Sequence, residues 1–461
     1  MDNKFPNKIS LNAKSVAIIG GGLAGVAAAW MLHCSGYKVV LIEKRPFLGG
    51  RAYSFTDSAT GVEVDNGQHV FMRCFSEYIS LVKQVGSFDK TKLQSSMNVE
   101  VRDSGGNIGV LSSSPLPSYL SFLPSFLFYR YLSINEKIKA ILVLLKIKFI
   151  KNIQSEELQN ISFKDWLKNN NQSEKSIRNF WDLIILPTLN DHSSNVTTSM
   201  ALMVFKTTLL GDRHASDIGF AQYGLSTVMG TPMKDKLVDC GVSLVLGKQV
   251  LDLKHSKGVI TELKLSDGQK IKADFYISAI PPFALMSLLP DSLKKTELGL
   301  AGTHDFSPII NAHIWYDKTV ADFEWTAFIN SPLQYVFNRS VISNLDQEGT
   351  YLTISISGAS EFWSKTKEQL KELLVDELNK CLPLTASAKI KRFIIIKEQR
   401  ATFRNLPGAS INNRLKSATP IDNFYLAGDW TDTGWPSTME GAVISGNLAA
   451  KAIIARDGSG N

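Results

Sequence analysis

Residues 20–25 read Gly20-Gly21-Gly22-Leu23-Ala24-Gly25, a GxGxxG spacing between an apolar run, Ser15-Val16-Ala17-Ile18-Ile19, and an apolar helix expected from Leu23 to Cys34. That spacing does phosphate chemistry. Gly20 permits a tight turn, Gly22 lets backbone approach a pyrophosphate, and Gly25 lets helix pack on strand. The helix start at Leu23 and Ala24 then points amide groups and a positive dipole end at the phosphates. Glu43 closes the next apolar strand, Lys38 to Ile42, 18 residues past Gly25. A carboxylate there bonds a ribose hydroxyl pair and repels a 2′-phosphate, which disfavours NADP.

A second glycine pair follows in Lys44-Arg45-Pro46-Phe47-Leu48-Gly49-Gly50-Arg51. Two glycines and a cation can wrap the same pyrophosphate, or form a plain loop. The carboxyl-terminal region separates FAD from NAD. Leu426-Ala427-Gly428-Asp429-Trp430-Thr431 ends a strand, and Gly434-Trp435-Pro436-Ser437-Thr438-Met439-Glu440-Gly441-Ala442 opens a helix. Gly428 and Asp429 suit a polyol chain, and a helix start at Met439 to Ala442 suits negative charge on a reduced flavin ring. Together the two ends of the chain call for FAD.

The elements that must position these residues begin with a βαβ unit, which implies a parallel sheet. From about Asn98 to Phe220 the pattern turns apolar and proline-punctuated, with helices such as Ile134 to Ile150 and Phe163 to Leu167. A helix near Ser226 to Cys240 and a strand Val242 to Leu246 follow. Val259 to Leu265 and Ile271 to Ile280 then flank a Ser266-Asp267-Gly268 turn as a hairpin. Strands Ile309 to Tyr316 and Tyr351 to Ser357, a helix Lys365 to Cys381, a strand Asn423 to Ala427 and a helix Gly441 to Ala455 complete the chain. Its 461 residues exceed one ordinary core, so two domains are expected.

Composition excludes several classes. The net charge of +7 is modest for this length, and no basic stripe with a reading motif points to nucleic acid. Cys34, Cys74, Cys240 and Cys381 stand far apart, which argues against a metal site or a disulfide framework and fits a reducing cytoplasm. Met1 to Pro6 has no apolar signal segment. Leu111 to Tyr129 is uncharged and long enough to span a bilayer, but Pro115, Pro117 and Pro124 would break a spanning helix.

These motifs resemble the flavin-containing amine oxidase and phytoene desaturase superfamily over nearly the whole chain. Within it, Asp65-Asn66-Gly67-Gln68-His69, Gln399-Arg400-Ala401-Thr402-Phe403 and Ala427 to Gly434 look most like the hydroxysqualene dehydroxylases, or squalene-associated FAD-dependent desaturases. The resemblance implies an α/β fold: a discontinuous Rossmann-type FAD-binding domain, residues 14–97, 221–299 and 396–456, with an α+β substrate-binding domain, 98–220 and 300–395. It implies non-covalent FAD, with Gly20, Gly22 and Gly25 at the pyrophosphate, Glu43 at the adenosine ribose and Arg51 at the phosphates. Val250 would meet the adenine through backbone atoms, Asp429 the ribityl chain, and Met439 and Ala442 the flavin ring. Lys44, Gly49, Gly50 and Gly428 belong to the same loops. Trp435 and Ser437 depart from the residues expected in relatives, which bears on pocket shape.

The implied chemistry is reduction of an allylic alcohol: water leaves, and hydride from reduced flavin quenches the cation. That needs an acid at the hydroxyl and a dry, apolar tunnel. His69 and Asp65 are the nearest candidates and Asp432 the third; Asp65 can equally pin a turn, and His69 can be a satisfied structural group. Three alternatives stand beside this. A carotenoid-type desaturase runs hydride the other way, from a polyene precursor to FAD. An amine oxidase would want an aromatic cage, with Trp430 as one wall, and Lys318 sits in what reads as a strand-end turn. A prenyl-lipid carrier would lack Ala427-Gly428-Asp429. The expected partners are a hydrophobic isoprenoid substrate, a reductant for the flavin, and an anionic membrane, with the enzyme on the inner face of the cytoplasmic membrane. Tyr119 to Leu132, with Lys137, Lys139, Lys146, Lys148 and Lys151 around an apolar helix, reads either as a monotopic membrane contact or as a core helix with a solvated basic face.

Overall fold

The computed structural model describes residues 12–116, 120–345, 348–408 and 414–458; Met1 to Pro6, Pro117 and Tyr119 lie outside them. Val16 to Ile19, Val39, Leu41 and Ile42 are all buried. Uninterrupted apolar runs of this kind suit strands covered on both faces. They form the middle of a five-stranded sheet, ordered Ser243–Leu246, Lys38–Glu43, Ser15–Ile19, Phe275–Ser278, Phe424–Leu426. Every pairing in it is parallel. Gly20, Glu43, Ala279 and Gly428 therefore leave the sheet at or just past strand carboxyl ends, where open α/β sheets hold ligands.

Two helices cover one face of this sheet. Leu23–Cys34 and Met439–Gly458 pack through small residues, including Ala24, Ala27, Ala28, Ala449 and Ala450 in one buried cluster. A Cβ on Gly446 would stand 2.1 Å from the Ala24 carbonyl oxygen. This contact locks the carboxyl-terminal helix onto the amino-terminal one.

A second sheet has seven strands: Ile390–Phe403, Phe306–Tyr316, Thr350–Ile356, Tyr335–Asn338, Trp325–Phe328, Asn98–Arg102 and Ile108–Ser112. Its pairings are antiparallel except Trp325–Phe328 with Asn98–Arg102. Helices between Leu123 and Thr207 enclose an aromatic core of Phe122, Phe126, Phe163, Phe180, Trp181 and Phe205 against Val101, Leu111 and Ala327 of this sheet.

Several expectations need correction. Ile271 to Ile280 is not one hairpin strand: Lys270–Ile271 pairs back on Val259–Leu265, and Phe275–Ser278 enters the parallel sheet. The segment is shared between two sheets: Ile271-Lys272-Ala273-Asp274 alternates apolar and polar residues, whereas Phe275-Tyr276-Ile277 is a continuous apolar run. The boundaries placed at 220/221 and 395/396 cut through strands Ile218–Ala221 and Ile390–Phe403. Lys137 is not part of a basic face. It is buried, and its Nζ donates to the Leu127 carbonyl at 2.6 Å. Among the described residues no helix is long and apolar enough to cross a membrane.

Gly446→Ala should cost about 1–3 kcal/mol, because backbone on the facing helix must move to admit the methyl group. Urea denaturation should show a lower midpoint at unchanged slope. An unchanged midpoint would mean the two helices separate freely.

Candidate active site

The two glycine loops lie against each other. Gly49 N–H donates to the Gly21 carbonyl at 2.9 Å, and Gly22 and Gly49 form an isolated parallel bridge. A Cβ on Gly50 would come within 2.9 Å of Gly22 Cα, and one on Gly25 within 1.9 Å of the Gly20 oxygen, so both close approaches require glycine. Gly22 caps the first helix without a side-chain hydrogen bond. Its first-turn amides thus face an anion site free of side-chain competition.

Glu43 is buried beside this cradle. Its carboxylate accepts Gly21 N–H at 2.7 Å and Arg45 N–H at 2.9 Å. Each oxygen keeps acceptor capacity for a ribose hydroxyl. Gly247 N–H donates to the Arg45 carbonyl and Lys248 N–H to the Glu43 carbonyl, at 2.9 and 3.1 Å, which brings the strand starting at Val250 alongside. Lys44 points to solvent. Its neighbour Arg45 turns inward instead, donating to the Gly50 carbonyl at 3.0 Å and lying 4.6 Å over the Tyr53 ring.

At the other end of the site Arg51 ties four segments. Its guanidinium pairs with Asp429 and donates to the Ala401 carbonyl at 2.9 Å, while its own carbonyl accepts from Asn66 Nδ2 at 2.8 Å. Burial works against the Asp429 charge, but Arg51, Ser437 and Arg414 together hold its carboxyl below the ordinary range. Ser437, a departure from the expected pattern, donates its hydroxyl to Asp429. Gly428, at φ +137°, anchors the turn by donating N–H to Ser445 Oγ at 2.8 Å. Met439 is buried and Ala442 partly buried at the start of the last helix.

Sequence reasoning missed Arg414. It is buried and donates to the carbonyls of Trp435, Asp429 and Thr431 and to Thr433 Oγ1, clasping the turn from Asp429 to Trp435. Burial lowers its pKa to about 10 against the support of Asp432 and Asp429. It stands in none of the motifs the sequence offers, so only the fold reveals it.

Asp65 to His69 forms the wall next to Arg51. Asn311 Nδ2 donates to the Asn66 carbonyl at 3.3 Å, and a Cβ on Gly67 would lie 2.6 Å from the same nitrogen. Asp65 Oδ1 accepts Leu225 N–H at 2.8 Å, so the carboxylate caps the Leu225 turn; burial pushes it up to about 6, with Arg339 opposing. His69 Nδ1 sits 2.8 Å from the Gly67 carbonyl. A carbonyl can only accept, so Nδ1 carries the hydrogen and Nε2 of the neutral ring offers a lone pair. Enclosure holds His69 below its ordinary pKa, opposed by the Gly67 bond and assisted by the Arg51 charge. Asp432 is exposed, its N–H bonded to the Leu415 carbonyl. Lys318 is exposed just past the end of a strand. Trp430 is not a cage wall: it is buried in the core with Nε1 donating to the Ile280 carbonyl at 3.1 Å. Among the described residues no cluster could hold a metal ion.

The glycine cradle, the Glu43 carboxylate, and the Asp429 turn facing a helix start fit the diphosphate, ribose and flavin parts of FAD. The family of flavin containing amine oxidoreductases matches residues 23–454. Similar proteins include a 15-cis-phytoene desaturase of Synechococcus elongatus, 27% identical over 96% of both chains. A probable zeta-carotene desaturase of the same organism is 25% identical over 95% of this chain and 98% of its own. The fold is also that of putrescine oxidase bound to putrescine, with TM-score 0.75 at 17% identity over 96% of this chain and 99% of the other. Cyclohexylamine oxidase from Brevibacterium oxydans superposes with TM-score 0.71 at 19% identity, over 97% and 100% of the chains.

The protein should purify yellow and release its flavin on acid precipitation; flavin retained in the pellet would show a covalent link. Glu43→Ala should weaken FAD binding by about 1.5–3 kcal/mol through loss of charged hydrogen bonds. Titration of apoprotein with FAD checks this, and unchanged affinity would remove Glu43 from the ribose site.

Proposed function

The chain belongs to the flavin containing amine oxidoreductase family and is an FAD-dependent oxidoreductase, and on that premise we propose that it reductively dehydroxylates a triterpenoid alcohol of the hydroxysqualene type. The observation that carries an isoprenoid substrate is the full-length likeness to enzymes named for phytoene and zeta-carotene desaturation. The buried Trp430 supports it by removing the aromatic wall an amine site would want. The Asp65–His69, Gln399–Phe403 and Ala427–Gly434 segments favour the dehydroxylase within that class.

Bound FAD supplies hydride to carbon, or accepts it. The chain's own residues must manage the proton. In dehydroxylation the alcohol oxygen takes a proton and leaves as water, and the allylic carbon it leaves takes hydride, giving a hydrocarbon. His69 is the donor in this reading, so its ring must be charged when the alcohol binds. Asp65, committed to the Leu225 amide, positions the turn that carries His69.

A second reading, desaturation, has its own observation. The neutral His69 ring offers an acceptor at Nε2, which suits taking a proton from the carbon next to the one that loses hydride. The two readings predict opposite pH limbs. A donor His69 makes kcat/KM fall as pH rises through its lowered pKa; an acceptor makes kcat/KM rise through that value and level off above it.

Stopped-flow mixing of reduced, oxygen-free enzyme with hydroxysqualene should reoxidise the flavin and yield squalene. His69→Ala should slow that step by about 10²–10⁴-fold and abolish the pH limb, leaving FAD binding intact. Bleaching of the oxidised enzyme by phytoene, with no reaction of the reduced enzyme, would instead establish desaturation.

A further inference from the structure

The helix Ile134–Phe149 is apolar on two opposite sides. Ala140, Val143, Leu144 and Ile147 are buried in the helical core. Ile134, Ile138, Leu142, Leu145 and Phe149 face outward, and Ile134, Leu142 and Phe149 are 77%, 60% and 74% exposed. At about 100° of turn per residue these five residues fall on one arc, running the helix length of about 24 Å. The preceding helix Leu123–Phe128 adds Leu127 and Phe128, the latter 88% exposed. Eleven of the twenty exposed large hydrophobic side chains among the described residues fall between 108 and 149, so this is a patch and not scatter.

Its border is basic. On the same helical arc Lys139 and Lys146 flank the apolar stripe on one side and Lys148 on the other, with Lys151 just beyond the helix. An apolar strip between cationic margins matches the acyl–headgroup boundary of an anionic bilayer, and no helix among the described residues is suited to crossing one. We propose that the face formed by Leu127, Phe128 and the Ile134–Phe149 helix is a monotopic docking surface for an anionic phospholipid membrane. The apolar side chains enter the acyl boundary while the lysines remain at the headgroups. The surface stands whichever direction hydride runs at the flavin.

The test is co-sedimentation of the FAD-loaded enzyme with vesicles of phosphatidylcholine alone, or of equal parts phosphatidylcholine and phosphatidylglycerol. The enzyme should pellet with the anionic vesicles. Phe128→Ser and Leu142→Ser should each weaken partitioning by about tenfold, since both remove buried-on-binding apolar area. Lys139→Glu with Lys151→Glu should erase the preference for phosphatidylglycerol and leave flavin content unchanged. Unmodified enzyme that stays in the supernatant overturns the proposal. So does pelleting insensitive to the serine variants. A vesicle-free dimer that those same variants convert to monomer would also overturn it, by assigning the face to a second copy of the chain.

Discussion

The site depends on one ion pair. Arg51, half-exposed, holds the buried carboxylate of Asp429 from the opposite end of the chain, and through its carbonyl it holds Asn66. A carboxylate taken out of water is costly unless a cation and hydrogen bonds replace the solvent. Asp429 has Arg51 and Ser437 on its carboxylate, and Arg414 on its backbone carbonyl. The pair thereby fixes the distance between the second glycine loop, the Asp65–His69 turn and the start of the last helix. Those three segments share no local sequence, and this contact joins them directly at the site.

Burial shapes the chemistry of each charged group around that pair differently. Asp429 stays ionised because cations outweigh its desolvation, whereas Asp65, with one amide and a more remote arginine, is pushed up to about 6. His69 feels the same arginine as a repulsive charge. One guanidinium thus stabilises an anion on one side and disfavours a cation on the other.

Much of this was legible in the sequence. The glycine spacing fixes the first turn because Gly25 and Gly50 stand where a Cβ would strike backbone, and a backbone clash leaves a strong residue signature. Glu43 was legible for the same kind of reason, being the last residue of a buried strand. Arg414 was not, because its role is set by four acceptors 15 to 21 residues on, and an arginine in a loop carries no periodicity. Lys137 was misread because spacing on a helix does not tell which lysine reaches back to a carbonyl of the preceding segment. The segment from Ile271 to Ile280 failed for a related reason: both of its halves have β character, and that alone does not say which sheet receives each.

The same geometry bears on the direction of electron flow under the two readings proposed for the site. Hydride transfer needs a carbon held near the flavin whichever way the hydride runs. What changes is the proton, and in the proposed reading it rests on the His69 ring, whose Nδ1 is tied to the Gly67 carbonyl. That bond fixes the tautomer, so Nε2 is the ring nitrogen left to give or take a proton, and burial together with the Arg51 charge favours the neutral form. Donation then requires something to add negative charge near His69 on binding, whereas acceptance requires nothing further. On that proposal the direction of chemistry is decided less by the fold than by the electrostatic balance at His69 once cofactor and substrate are in place.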